Sequence, residues 1–265
     1  MSVNKTFSLT FGDVAENHKG MQQIGTLSDV GYNLRDLENM QAWFEERGCK
    51  CKIIRLHWLL SEELQKGNYA YILTVKNAVN ALLEDEEGAD KLFEEQDVLE
   101  KDTKAFMYGR VVNKNARHNL CFSDYHQDPN YEEGKGTVYA FEEVPLLNKI
   151  RGKLGEVIGE HGTNLQAEGN YYYDVEKCGI GFHGDTERKK VIAFRLGAKI
   201  PLCYGWYHNN ENVSDILTIN SLEHGDMYVM SEKTTGYDWK SRSKYTLRHA
   251  AGCAKFTNKV VVDNR

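Results

Sequence analysis

The chain has 265 residues, 41% of them hydrophobic and 27% charged, and a formal net charge of −6, enough apolar material for a sizeable core in an ordinary soluble composition. No run of about 18 apolar residues occurs, and the start MSVNKTFSLTF lacks the basic region and apolar core of a secretory signal; neither a membrane span nor export is expected, which leaves a soluble intracellular protein of cytoplasm or nucleus. The acidic balance argues against non-specific binding of a polyanion by the whole surface, and six cysteines without an export signal read as reduced thiols.

From the N-terminus, NLRDLENMQAWFEERG places Leu34, Leu37, Met40, Trp43 and Phe44 at helical spacing and stops at Gly48. KIIRLHWLL and YAYILTV read as strands, and AVNALLEDEEGADKLFEEQDVLEKD as acidic helical segments. His57, inside an apolar run, reads as a core histidine. Cys49 and Cys51 form the one close thiol pair, with no second pair at zinc-binding spacing. From Met107 the texture turns polar and rich in turns, up to the strand TVYAFEEV and the amphipathic helix PLLNKIRGKLGEVIG. After Asn170 short strands follow closely: NYYYD, GIGFHGD, VIAFRLG, IPLCYGWYH, ILTIN, GDMYVM and KYTLRHAAG. Many brief strands separated by turns predict a sandwich or barrel. The expected fold is α+β: a distorted jelly roll with supporting helices over 101–265, preceded by an N-terminal α/β region over 1–100.

Within GIGFHGDTER, His183 and Asp185 leave a strand two residues apart, so both side chains face one way. They supply two thirds of a 2-His-1-carboxylate site, which leaves positions open on ferrous iron. A second His-x-Asp, His126-Gln127-Asp128, precedes Pro129 in a polar stretch and lacks a rigid strand to hold it. Among the later histidines, His208 lies at a turn and His224 precedes GDMYVM. His249 ends a strand beside Ala250, Ala251 and Gly252, whose small size allows close approach, and it is the expected third ligand.

The order of EGNYYYDVEKCGIGFHGDTER, GDMYVM and TLRHAAG resembles the AlkB-like branch of the Fe(II)/2-oxoglutarate-dependent oxygenases over roughly residues 105 to 260. The resemblance implies a double-stranded β-helix with iron held by His183, Asp185 and His249 at its mouth, and 2-oxoglutarate and dioxygen as cosubstrates. It implies that Asn170, Tyr172 and Tyr228 reach the 2-oxoglutarate. The family's arginine on the strand after the last histidine is missing. Lys255, then Lys259, is expected to hold the distal carboxylate in its place, and the departure leaves open an ascorbate-using 5-methylcytosine oxygenase as an alternative.

The implied substrate is a methylated base in DNA or RNA, extruded or single-stranded. Glu187 and Arg188 are expected beside it, with Arg117, Tyr125 and Tyr131 in the segment where the family carries its substrate lid. The runs Arg188-Lys189-Lys190 and Lys240, Arg242, Lys244 offer a basic rim. A protein or small-molecule hydroxylase on the same scaffold, and a non-catalytic cupin-like binding protein, are the rival readings. No obligate protein partner is inferred.

Overall fold

The computed structural model describes residues 4–258. In chain order it runs β1 (Thr6–Gly12), β2 (Val14–Glu16), β3 (Gln23–Gly25), α1 (Leu34–Glu45), β4 (Cys51–Arg55), α2 (Glu62–Gln65), β5 (Tyr71–Val75), α3 (Ala78–Leu83) and α4 (Gly88–Asp97). Then come β6 (Lys104–Met107), β7 (Arg110–Asn113), β8 (His118–Ser123), β9 (Val138–Ala140), α5 (Pro145–Ile158), β10 (Gln166–Tyr172), β11 (Gly179–His183) and β12 (Val191–Gly197). The chain closes with β13 (Leu202–His208), β14 (Glu211–Asn212), β15 (Leu217–Ile219), β16 (Met227–Met230), α6 (Glu232–Thr235), β17 (Thr246–Gly252) and α7 (Ala254–Thr257). KIIRLHWLL is strand only as far as Arg55; Leu56–Leu59 is a 3₁₀ turn whose Leu56 and His57 are buried.

Two sheets face each other in a mixed α+β, sandwich-like arrangement. The larger has the order β4-β5-β16-β12-β1-β10-β8-β9, and the smaller β11-β17-β13-β14 with β15 also paired to β13. The expected boundary near residue 100 meets a sheet that draws strands from both sides of it. The chain's first strand, β1, lies in the middle of the larger sheet, antiparallel to β10 on one side and β12 on the other. Strands β4 and β5 extend the same sheet beyond β16.

The sequence of β1, TFSLTFG, shows why it belongs there. Side chains alternate between faces, so Phe7, Leu9 and Phe11 enter the apolar core between the larger sheet and the helices, packed with Leu37, Phe44, Leu92 and Ile150. Thr6, Ser8 and Thr10 point to the other, concave face. A second apolar cluster fills the space between the sheets: Ile72, Val191 and Met230 come from the larger sheet, Leu202, Trp206 and Leu247 from the smaller. Helix α1 is started by Asn33, whose side chain accepts from the Arg35 and Asp36 amides while Asp36 returns a bond to the Asn33 amide, a reciprocal cap. Leu9 is fully buried at the centre of this layer. Leu9→Ala is expected to cost about 2–5 kcal/mol, read as a lower urea midpoint with an unchanged slope.

Among the described residues, no helix is long and apolar enough to cross a membrane.

Candidate metal centre

His183 is the last residue of β11 and pairs directly with His249 of β17; His249 in turn pairs with Tyr204 of β13. Cross-strand partners share a face, so the two imidazoles meet, with ring centroids 4.4 Å apart. Asp185 follows just beyond the strand end. Its Oδ1 lies 3.5 Å from His183 Nε2 and 3.7 Å from His249 Nε2. One ligand atom from each of the three lies within 4.8 Å of the others. Ligands bound at about 2.1 Å and at right angles stand about 3 Å apart, so a small contraction would seat an ion.

Several features orient these groups. His183 Nδ1 lies 2.8 Å from the Gly181 carbonyl; a carbonyl only accepts, so Nδ1 carries the proton and Nε2 is left free for an ion. His249 is 7% exposed. Burial first, then His183 and Arg188, holds its imidazole well below the usual range, in the neutral form that ligates. Burial raises the carboxyls of Asp185 and Glu187. Burial also acts to raise Glu168, but Arg188 outweighs it and the carboxyl lies below its ordinary value. Arg188 pairs with Glu168 at 2.6 Å, Glu187 at 3.0 Å and Asp185 at 3.9 Å. Three carboxylates against one guanidinium leave two negative charges in a buried place, and a divalent cation is the ligand that balances them. The donor set and the charge both fit.

Gly184 separates His183 from Asp185 for a steric reason. A Cβ there would fall on the Gly236 carbonyl oxygen and lie 2.7 Å from Trp239 Cδ1. Gly184→Ala is expected to push the two ligands apart and weaken Co(II) binding by at least tenfold in a spectroscopic titration, while the far-ultraviolet spectrum keeps its native form.

The triad opens into a cavity of about 750 Å³. Of the residues expected around it, Asn170, Tyr172, Tyr228, Glu187, Arg188 and Arg117 all line it. Two of them have tasks other than those expected. Arg188 is sealed behind the triad by its carboxylates, its side chain 4% exposed, so it positions Asp185 and is not free for substrate. Asn170 is committed on both sides, accepting from Arg117 Nε at 2.7 Å and donating to Glu168 Oε1 at 3.0 Å. Tyr131 donates to Asp102 Oδ1 at 2.8 Å and Tyr125 is 43% exposed; neither lines the cavity. His126 sits on the surface against Glu143, 2.8 Å away, and Asp128.

Lys255 does not reach the cavity. After Gly252, at φ 110°, the chain turns into the short helix α7, where Lys255 is exposed. Between β10 and β12 the sheet position is already taken by β1. Lys259 lies outside the described residues.

A basic residue that the sequence reading passed over faces the cavity instead. Arg195 of β12 is 3% exposed, and its Nε and Nη1 are buried with no hydrogen-bond partner among the described residues. Its guanidinium carbon lies 5.5 Å from the centroid of the Tyr228 ring. Register places it in one row across the concave face with Ser8, Asn170 and Asn119, and all four line the cavity. The signals were the alternation of polar residues with apolar ones in TFSLTF and the lone charge in VIAFRLG.

Fold and site define a sandwich-like α+β protein with a partly buried His-Asp-His cluster able to hold a metal ion. No protein-family model matches the chain. It is 48% identical over 255 residues to the uncharacterized protein R156 of Acanthamoeba polyphaga mimivirus, an alignment that covers 96% of this chain and 98% of that protein. The chain belongs to the same family as R156.

Proposed function

We propose that the protein is an Fe(II)- and 2-oxoglutarate-dependent oxygenase that oxidises a C–H bond, with a methylated nucleobase as the substrate class that the AlkB-like motif order favours. The observation that carries this reading is the meeting of two features in one cavity: three ligand atoms from His183, Asp185 and His249, and a buried guanidinium, Arg195, whose Nε and Nη1 have no partner among the described residues. A metal chelated by a 2-oxoacid and a distal carboxylate seeking a cation would satisfy both at once.

On this reading the facing sheets are the walls of a double-stranded β-helix, and β1 fills the larger wall's place between β10 and β12. Bound Fe(II) would supply activation of dioxygen, which side chains do not offer. The protein's own residues do the rest. His183, Asp185 and His249 hold one face of the ion, and Arg188 steadies Asp185. Arg195 takes the distal carboxylate, with the Ser8 hydroxyl beside it in the same row. Tyr172 and Tyr228, both nearly buried, wall off solvent from that end. Trp239 lines the cavity next to Gly184, with its indole Nε1 buried and unpartnered among the described residues, a flat surface with a donor suited to a planar substrate.

The test is anaerobic loading with Fe(II) and 2-oxoglutarate, followed by admission of oxygen. A visible charge-transfer band, then succinate release dependent on iron, is expected. A protein that binds iron but consumes no 2-oxoglutarate refutes the cosubstrate, and turnover with ascorbate alone would hand its role to that reductant.

A further inference from the structure

The cavity is larger than its metal end requires. A five-carbon dicarboxylate of about ten non-hydrogen atoms, at no more than the roughly 30 Å³ that a water occupies in the liquid, fills about 300 Å³ at most, well under the 750 Å³ present. Its two ends are also both used, one at the metal and one at Arg195. What remains has its own chemistry.

At the other end of the polar row, His18, Lys114 and Arg117 line the wall. Lys114 Nζ donates to Asn119 Oδ1, and Arg117 Nε to Asn170 Oδ1 at 2.7 Å. Both acceptors are neutral amides. Neither cation has a carboxylate within ion-pair distance among the described residues, and Arg117 keeps both Nη groups free of protein partners there. Burial, with Arg117 adding to it against the pull of Asp102, brings the Lys114 ammonium down to about 8. Next to them Asn17 is fully buried, and its side-chain Nδ2 and Oδ1 have no hydrogen-bond partner among the described residues although the residue lines the cavity. Its main-chain oxygen is tied down by Asn119 Nδ2. Asn119 of β8, which holds Lys114, stands three strand spacings from Arg195 of β12, and Asn170 of β10, which holds Arg117, stands two, or about 14 and 10 Å at backbone level. The two cationic ends are therefore separate sites.

We propose that Lys114 and Arg117, with Asn17 and His18 beside them, form a phosphate subsite that holds a phosphoryl group of the substrate. A planar fork and a point charge side by side suit a tetrahedral group with several anionic oxygens, and the unpartnered Asn17 amide offers a donor and an acceptor to whatever adjoins it. The assignment of this phosphate to the oxidised substrate rests on the oxygenase reading; the subsite's affinity for phosphate does not.

The test therefore begins on metal-free protein, by calorimetric titration with inorganic phosphate. Binding is expected in the wild type, at least tenfold weaker in the double variant Lys114→Gln/Arg117→Gln, and unchanged within twofold in Arg195→Gln. The charge-retaining Lys114→Arg/Arg117→Lys should stay within about threefold of wild type, which separates lost charge from lost fold. In protein loaded with Co(II), phosphate and 2-oxoglutarate should bind together without competing. Titrations with a 5′-mononucleotide and with a dinucleoside phosphate then tell a monoester source from a diester one by which binds more tightly. No phosphate binding by the wild type, wild-type affinity in the Gln double variant, or displacement of 2-oxoglutarate by phosphate would each overturn the subsite. The first two leave the metal and cosubstrate assignments intact.

Discussion

Replacing Arg195 by methionine is expected to make the ligand-free protein more stable and, on the proposed oxygenase reading, to weaken its binding of 2-oxoglutarate sharply. The two effects have one cause. A guanidinium stays charged at any accessible pH, and this one is 3% exposed with two of its nitrogens unpartnered among the described residues. Burying a cation without an anion costs several kcal/mol that a well-packed apolar side chain of similar length does not incur, so Arg195→Met should gain about 1–4 kcal/mol in the absence of ligand. On that reading a carboxylate bound at Arg195 would let the wild type recover that cost, and the variant could not. A loss of about 3 kcal/mol in binding corresponds to roughly 100-fold in Kd. At about ten times the wild-type Kd, 2-oxoglutarate should thus raise the melting temperature of the metal-loaded wild type and barely move that of Arg195→Met. Lys255→Ala, altered in the exposed helix α7, should behave as wild type in both measurements. A ligand-free Arg195→Met that is less stable than wild type would mean that the guanidinium is already satisfied, and the anion site would lose its foundation.

Asp185→Asn carries the second large expectation. Loss of a residue that merely orients a metal ligand commonly costs 10–100-fold in affinity, so loss of the single carboxylate among three ligands should cost more than 100-fold for Fe(II) or Co(II). The charge on the cluster sharpens this. With Asp185 neutral, Glu168 and Glu187 still face Arg188 at 2.6 and 3.0 Å, so one negative charge remains where two stood before. The variant should accordingly melt higher than wild type without metal and show no upward shift when metal is added. Wild-type protein should show the reverse pattern, a low melting temperature that rises with the ion. Metal affinity within threefold of wild type in Asp185→Asn would remove this carboxylate from the centre.

The pairing of His183 with Asp185 was legible because it depends on alternation along one strand, and alternation is a local property. So was helix α1, whose apolar spacing and Asn33 cap lie within a few residues of each other. His249 was reachable by elimination among three late histidines, since a strand ending in small residues suits close approach. The roles of Arg188 and Arg195 were not legible. Arg188 read as a cation near the substrate and Arg195 as one polar residue in an apolar strand, and only packing assigns them: Arg188 is surrounded by Glu168, Glu187 and Asp185, while Arg195 has no acidic neighbour at ion-pair distance among the described residues.

The amino-acid order by itself determined which residues share a strand face and which helices bear an apolar stripe, because those follow from backbone periods of 2 and 3.6 residues. The tertiary structure alone decided that β1, nearly 160 residues before β10 in the chain, closes the sheet beside it, and that this leaves no place there for a strand after His249. Pairing between distant strands is chosen by which whole arrangement buries the most apolar surface with every backbone hydrogen bond satisfied. No short window of sequence contains that comparison, and with β1 came Ser8, the row to Arg195, and the cavity they share.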